Sequence, residues 1–105
     1  MSYCAEIVTY SIATEEAEYL RLRASAIEEV KAAHPDLLAV PFCGRRSDGS
    51  WADVWIYRTA EAADAANNDA PNLPHFMTMF AVLRDVSIEA LDFPEGAVSP
   101  LDDGV

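Results

Sequence analysis

The sequence predicts a single α+β domain with the element order β-α-β-β-α-β. Three observations indicate this order: an alternating segment near the N-terminus, a hairpin signal at Ser47-Asp48-Gly49, and a small-residue helical segment that precedes a last alternating segment. Two split β-α-β units form a ferredoxin-like fold, a four-stranded antiparallel sheet with its helices on one face. We expect residues 1–93 to form this domain and residues 94–105 to form a C-terminal tail.

Residues 4–12 and the segment after them predict the first strand and the first helix. Residues 4–12 alternate between two faces, as a strand does. Thr14 is expected to cap the helix, which should end near His34 because Pro35 disfavours helical geometry in the residue before it. Side chains three or four residues apart predict the buried stripe of this helix: Ala17, Leu20, Ala24, Ile27 and Val30.

The second and third strands are predicted as a hairpin. Residues 37–46 and 50–58 are largely apolar and flank an Asp-Gly pair, which accepts the positive φ of a tight turn. Pro41 has no N–H to donate to a neighbouring strand. The second strand is therefore expected at a sheet edge or with a bulge.

Two prolines separate the next helical segments. Thr59 can cap an alanine-rich helix that stops before Pro71. Pro74 suits the first turn of another helix, expected over residues 74–84 with Asn72 as its cap. The alternating segment 86–93 then predicts the fourth strand.

Composition limits the classes of function. Hydrophobic residues make up 51% of the 105 residues, which is typical of a folded globular domain, and no apolar run is long enough to span a bilayer. No signal peptide is visible at the N-terminus, so a cytoplasmic protein is expected. The net charge of −11 opposes nucleic-acid binding. Cys4 and Cys43 lack metal-ligand spacing and are expected to be free thiols, and no metal site is predicted.

The third strand predicts a homodimer. Its side chains Ala52, Val54 and Ile56 point to one face of the sheet, and an aromatic set points to the other. Both faces are more apolar than a solvent-exposed surface usually is, so a second copy of the chain should cover the face that the helices leave open.

The aromatic face of the third strand has two interpretations. Trp51, Trp55 and Tyr57 are either ligand-stacking surfaces or part of the dimer interface. The dimer interface is favoured for Trp51 and Trp55, together with Asp53 on the same face, because aromatic side chains are enriched at buried interfaces. Asp53 needs a cationic partner among the tryptophans, and Arg45 or Arg46 is the nearest candidate in the sequence.

The segments WIYRTAEAADAA and PHFMTMF, together with the element order, resemble the antibiotic-biosynthesis-monooxygenase-like family of the dimeric α+β barrel superfamily. Tyr57 falls at that family's aromatic position and Pro74-His75 at its Pro-His position. The resemblance implies a dimer of facing sheets with a ligand cleft between each sheet and its helices. The family includes monooxygenases that need no cofactor and act on phenols and quinols, haem-degrading enzymes, isomerase-type enzymes and proteins without known activity.

His75 is the candidate catalytic base, because imidazole exchanges protons near neutral pH and a base is needed to take a phenolic proton before oxygenation. Tyr57, Phe76, Met79 and Val82 are the candidate ligand-binding side chains. Two functions stay open. One is a homodimeric monooxygenase that needs no cofactor and acts on an aromatic or quinol-like molecule, and the other is a non-catalytic protein of the same fold that binds a small apolar ligand or has an accessory role.

Overall fold

The computed structural model describes residues 2–97 of the chain. These residues form an antiparallel sheet with helices on one face. In chain order the elements are β1 (Ser2–Ile12), α1 (Glu16–Ala33), β2 (Leu37–Ala39), β3 (Cys43–Arg45), β4 (Trp51–Tyr57), α2 (Ala60–Asp69), α3 (Pro74–Phe80) and β5 (Leu83–Pro94). The strand order is β2-β4-β1-β5, and β3 also pairs with β4. The predicted ferredoxin-like fold is confirmed. The predicted tail lies mostly outside the described residues.

The edge of the sheet is interrupted at Pro41, as the missing N–H predicts. The single strand expected over residues 37–46 is two short strands, β2 and β3, which pair with the two ends of β4. The predicted turn follows β3, and Gly49 adopts a φ of 89° there. Glycine suits this position because it has no Cβ to clash in the left-handed region.

Helix α1 ends before His34 as predicted, but its start and its buried face differ from the prediction. The cap residue is Glu15, not Thr14, and it makes no side-chain cap bond. Ala17 and Ala24 are exposed, and Leu20 is 40% exposed. The buried residues of the helix are Tyr19, Leu22, Ala26 and Val30. The prediction missed this face because it includes the phenol of Tyr19 and lies beside the charged Arg23.

The segment between the prolines is a 3-10 turn at Ala70–Asn72, which leads from α2 into α3. Helix α3 ends at Phe80, earlier than predicted, and β5 begins at Leu83. Asn72 does not cap α3, since Leu73 holds the cap position and the Asn72 side chain donates to Asp69 instead.

The core lies between the sheet and the helices in two clusters. One contains Trp55, Tyr57 and Leu37, and the other contains Tyr10, Tyr19 and Trp51 with their neighbours. Within residues 2–97, no helix is both long enough and apolar enough to cross a membrane.

Thr59 caps α2 as predicted, because its side-chain oxygen accepts a hydrogen bond from the Ala62 N–H at 3.0 Å. The substitution Thr59→Ala is expected to lower the free energy of unfolding by about 1 kcal/mol, the usual cost of losing such a cap. Urea unfolding followed by circular dichroism measures this change. The matched control is Thr14→Ala, which precedes the α1 cap position and should change stability little. Equal losses in both variants would contradict the assignment.

Candidate functional site

A cavity of about 60 Å³ lies between the sheet and the helices. At about 10–15 Å³ for each enclosed water molecule, it has room for about four water molecules. Most of its lining is apolar and comes from both layers of the fold: Val8, Trp55, Ala66, Phe76, Met79 and Leu83. A concave apolar space with a few polar groups is the usual form of a small-molecule site.

Aromatic side chains form one wall of the cavity. The rings of Trp55 and Phe76 meet edge to face with centroids 6.3 Å apart, and Phe76 stacks on Phe80 at 6.0 Å. The backbone N–H of Phe76 donates to a carboxylate oxygen of Glu29 at 2.8 Å, which ties the first turn of α3 to α1. Phe80 and Ile88 also line the cavity, yet they are 41% and 51% exposed. These two side chains therefore mark its mouth.

Glu6 is one of two buried carboxylates that line the cavity, and it differs from the other, Asp53, in having no cationic partner within residues 2–97. Glu6 lies on β1 opposite Trp55 of β4, with 7% of its surface exposed, and accepts a hydrogen bond from the Asn67 side-chain amide at 2.8 Å. Burial raises the pKa of Glu6, the Asn67 hydrogen bond opposes that shift, and the nearby charge of Asp64 adds to it. A carboxylate with a raised pKa in an apolar site is suited to accept a proton.

Tyr57 lines the same cavity from the end of β4. Burial is the main cause that raises the pKa of Tyr57, and the charge of Glu6 also raises it. The phenol therefore stays protonated and can donate or accept a hydrogen bond at neutral pH.

A second set of polar side chains lies along the cavity and forms a hydrogen-bond network. Tyr10 and Tyr19, both buried, share a hydrogen bond between their hydroxyls, and the Tyr10 hydroxyl donates to Asp53 at 3.3 Å. Arg23 donates two hydrogen bonds of 2.8 Å to the two oxygens of Asp53. Tyr10, Tyr19 and Asp53 line the cavity.

The structure brings three of the four predicted ligand-binding residues to the cavity. Tyr57, Phe76 and Met79 line it. Val82 is not among the lining residues and packs, half-buried, against the core cluster that contains Tyr10. The predicted base His75 is exposed on α3 and also does not line the cavity. Its catalytic role stays a prediction.

The predicted dimer-interface residues lie inside the chain. Trp51, Asp53 and Trp55 are 7%, 2% and 6% exposed in one protomer, because their face of β4 is the face that the helices cover. Their assignment to the dimer interface is therefore wrong, and Asp53 and Trp55 belong to the cavity. The alternative, a ligand-stacking role, fits the positions of Trp55 and Tyr57, which line the cavity.

The cationic partner predicted for Asp53 is also corrected. Asp53 pairs with Arg23 of α1, a residue 30 positions away that the turn of the helix brings over the sheet. Arg45 instead bonds Glu16 and lies over the Trp51 ring, with 5.7 Å from its guanidinium carbon to the ring centroid.

The polar residues Glu6, Asn67, Tyr10, Tyr19 and Arg23 escaped the sequence prediction. One signal was present for Glu6: it shares a strand face with Val8 and Tyr10, where a charged side chain is unexpected. No such signal marked Asn67, which belongs to a helix otherwise rich in alanine and acidic residues. Among residues 2–97, no three His, Cys, Asp or Glu side chains group together in a way that could hold a metal ion.

No protein-family model and no curated protein matches the sequence. Solved structures do match the fold. One is SnoaB, a cofactor-independent oxygenase from Streptomyces nogalater, with a TM-score of 0.67 and 18% identity over 98% of this chain and 100% of that chain. A second is a Caulobacter crescentus protein provisionally classed as an antibiotic biosynthesis monooxygenase, with a TM-score of 0.67 and 19% identity over 90% and 92% of the two chains.

A third similar structure is a NIPSNAP-family protein of unknown function from Agrobacterium tumefaciens, with a TM-score of 0.61 and 14% identity over 86% of each chain. Sequence identities this low support a common fold, and the same fold serves different functions. The chain has the ferredoxin-like α+β fold of the antibiotic-biosynthesis-monooxygenase-like proteins.

Proposed function

We propose that the protein is a cofactor-independent monooxygenase that acts on a small aromatic or quinol-like molecule bound in the cavity. The single observation that carries this proposal is the buried Glu6 carboxylate in an otherwise largely apolar, aromatic-walled cavity. The fold is compatible with it, since one protein of similar structure is a cofactor-independent oxygenase.

In the proposed reaction Glu6 takes the proton of an aromatic hydroxyl. Asn67 donates to one oxygen of Glu6 and so holds the carboxylate in place. The ring of the substrate would pack against Trp55, Phe76 and Met79, with Tyr57 beside its hydroxyl. The resulting anion is electron-rich and reacts with dioxygen. When a ring CH₂ conjugated to this hydroxyl becomes a carbonyl, one oxygen atom enters the product and the other leaves as water with the two hydrogens of the CH₂, so the substrate supplies all the electrons. Glu6 returns its proton to the hydroxyl of the product.

A non-catalytic binding protein of the same fold is the second candidate. One observation favours it: the predicted base His75 is exposed and does not line the cavity, so the cavity lacks the histidine that the sequence predicted as the catalytic base. Such a protein would bind the same ligands without consuming oxygen.

Oxygen uptake and ligand binding distinguish the two candidates. A panel of simple phenols, anthrones and quinols would be offered to the protein, with binding followed by tryptophan fluorescence because Trp55 lines the cavity. Uptake well above the spontaneous rate is the expected result. A change in tryptophan fluorescence without any uptake of oxygen would support the second candidate, the non-catalytic binding protein. Equal uptake by wild type and His75→Ala is expected, and a loss in His75→Ala would restore the histidine as base.

We also propose that the protein is a homodimer, joined through the sheet face that the helices leave open. This face carries apolar side chains on three neighbouring strands. They are Ile7 on β1, Val54 and Ile56 on β4, and Leu91 on β5, which is 46% exposed. A second copy is the occupant that this face fits, since a two-fold axis brings the same apolar patch from both chains together.

The substitution Ile56→Asp is expected to dissociate the dimer, because it puts an unpaired charge into the apolar interface. Light scattering would show the mass fall from twice 11.5 kDa to 11.5 kDa. Leu20→Asp on the outer face of α1 is the matched control and should leave the dimer intact, as Leu20 is 40% exposed there. A wild-type mass of 11.5 kDa at micromolar concentration would reject the dimer.

A further inference from the structure

Four side chains form a hydrogen-bond network beside the cavity: Tyr10, Tyr19, Asp53 and Arg23. In each of its bonds, the number of protons that each group carries decides which group donates and which accepts. Asp53 forms a two-pronged ion pair with Arg23, and it also accepts from the Val54 backbone N–H at 3.0 Å. An ionised carboxylate has no proton and can only accept. The Tyr10 hydroxyl at 3.3 Å must therefore donate to it.

The direction of the next bond follows from the first. A phenol has one O–H proton, and burial raises the pKa of both Tyr10 and Tyr19, so both phenols keep that proton. Tyr10 has already used its proton on Asp53. In the Tyr10–Tyr19 hydrogen bond the donor is then Tyr19, which uses its only proton too. Neither hydroxyl has a proton left to donate to anything else.

We propose that this network gives the cavity a second binding position that only accepts hydrogen bonds, so that it selects ligands carrying an O–H or N–H group opposite the group bound at Glu6. Both phenols line the cavity, and a lone pair is all that either can offer to a ligand. The proposal rests on the proposed function, because it specifies which ligands the same cavity takes.

Asp53 and Arg23 act here as positioning residues. Arg23 donates to both oxygens of Asp53 and holds that carboxylate in place, Asp53 fixes the Tyr10 proton, and Tyr10 in turn fixes the Tyr19 proton. A carbonyl oxygen at this position meets lone pairs only, whereas a hydroxyl finds an acceptor.

Two nearly isosteric ligands test the selection. 4-Hydroxybenzyl alcohol can donate from its para substituent, and 4-hydroxybenzaldehyde can only accept there. Dissociation constants would be measured for both by tryptophan fluorescence at slightly acidic pH, where the phenols are neutral. Wild type is expected to bind the alcohol about fivefold more tightly, which is the typical worth of one hydrogen bond.

Three tyrosine variants separate the selection from mere structural damage. In Tyr10→Phe the Tyr19 proton has lost its acceptor and is free to donate to a ligand, so the preference should vanish or reverse toward the aldehyde. Tyr19→Phe leaves Arg23, Asp53 and the Tyr10 bond in place and should weaken alcohol binding alone. Tyr3 packs against Phe93 and does not line the cavity, so Tyr3→Phe should keep the wild-type preference. An unchanged preference in Tyr10→Phe would overturn the proposal.

Hydroxyl-proton NMR decides the hydrogen-bond direction without any ligand. The Tyr10 hydroxyl proton should show a cross peak to the Arg23 Nε proton, and the Tyr19 hydroxyl proton should show one to the Tyr10 ring. The reverse pattern would overturn the proposal whatever the ligands do. If wild type binds neither compound, the selection proposal fails along with the proposed function. Binding of both without preference overturns the selection alone.

Discussion

Glu6→Gln is expected to lower the rate of oxygen uptake about 10²–10⁴-fold, the usual contribution of a general base. Glutamine keeps the shape of Glu6 and can still bond Asn67, so the cavity and its ligand affinity should change little. What the amide cannot do is accept the proton of the substrate hydroxyl. Oxygen-electrode rates at saturating substrate measure the loss, and dissociation constants from fluorescence show that binding persists.

Glu28→Gln makes the same chemical change on the exposed side of α1 and should leave the rate intact. Retained activity in Glu6→Gln would exclude Glu6 as the base. The wild-type rate should also rise with pH through the raised pKa of Glu6, because only the ionised carboxylate is a base. This lower limb of the pH profile should be absent from the residual rate of Glu6→Gln.

The raised pKa of Glu6 should also make the free energy of unfolding depend on pH, in a direction that can be predicted. The pKa of Glu6 is raised in the folded protein above its ordinary value, so between those two pKa values the folded state holds the proton more tightly than the unfolded state. The contribution of Glu6 to the free energy of unfolding is therefore fully present at low pH and is lost as pH rises through the folded-state pKa. Glu6→Gln should remove this loss, which urea titrations between acidic and neutral pH would measure.

Arg23→Ala is expected to lower the free energy of unfolding by about 3–5 kcal/mol, because it leaves the charge of Asp53 buried without its partner. The two side chains are 13% and 3% exposed, and both hydrogen bonds between them measure 2.8 Å. The Tyr10 hydroxyl and the Val54 N–H cannot replace a full positive charge. Urea unfolding of the variant at neutral pH measures the loss.

The double substitution Arg23→Met/Asp53→Leu should recover most of that stability, since a buried ion pair replaced by apolar side chains of similar size is often neutral or stabilising. Arg21→Ala is the matched surface control. Its ion pair with Glu18 has the same 2.8 Å distance but is largely exposed, so little change is expected there. Similar losses in Arg23→Ala and Arg21→Ala would show that burial does not govern the contribution of the Arg23 pair.

The element order was predictable because turn chemistry and alternation are local. Asp48-Gly49, Pro41 and the Thr59 cap each act within a few residues of the chain, and each prediction made from them is confirmed. Alternation in β4 also separated its two faces correctly. Which face meets the helices is a long-range property, and the preference for an aromatic dimer interface misplaced Trp51, Asp53 and Trp55.

The candidate site was less predictable because its polar groups come from distant segments. Glu6 meets Asn67 across 61 positions of sequence, and Asp53 meets Arg23 across 30. Three predicted ligand-binding residues do line the cavity: Tyr57, which the family resemblance indicated, and Phe76 and Met79, which helical spacing and side-chain chemistry indicated. His75 was selected by its chemistry and by the family's Pro-His position, and neither gives information on which side of a short helix a residue lies.

Phe80 and Ile88 stand half in solvent at one side of the cavity, and this placement bears on how large a ligand can be. A ring held by Trp55 and Phe76 can carry a long substituent outward past these two side chains without moving a helix. The small internal volume therefore restricts only the part of a molecule nearest Glu6. A series of fused rings or an acyl extension could project into bulk water along the apolar side chains of Phe80 and Ile88.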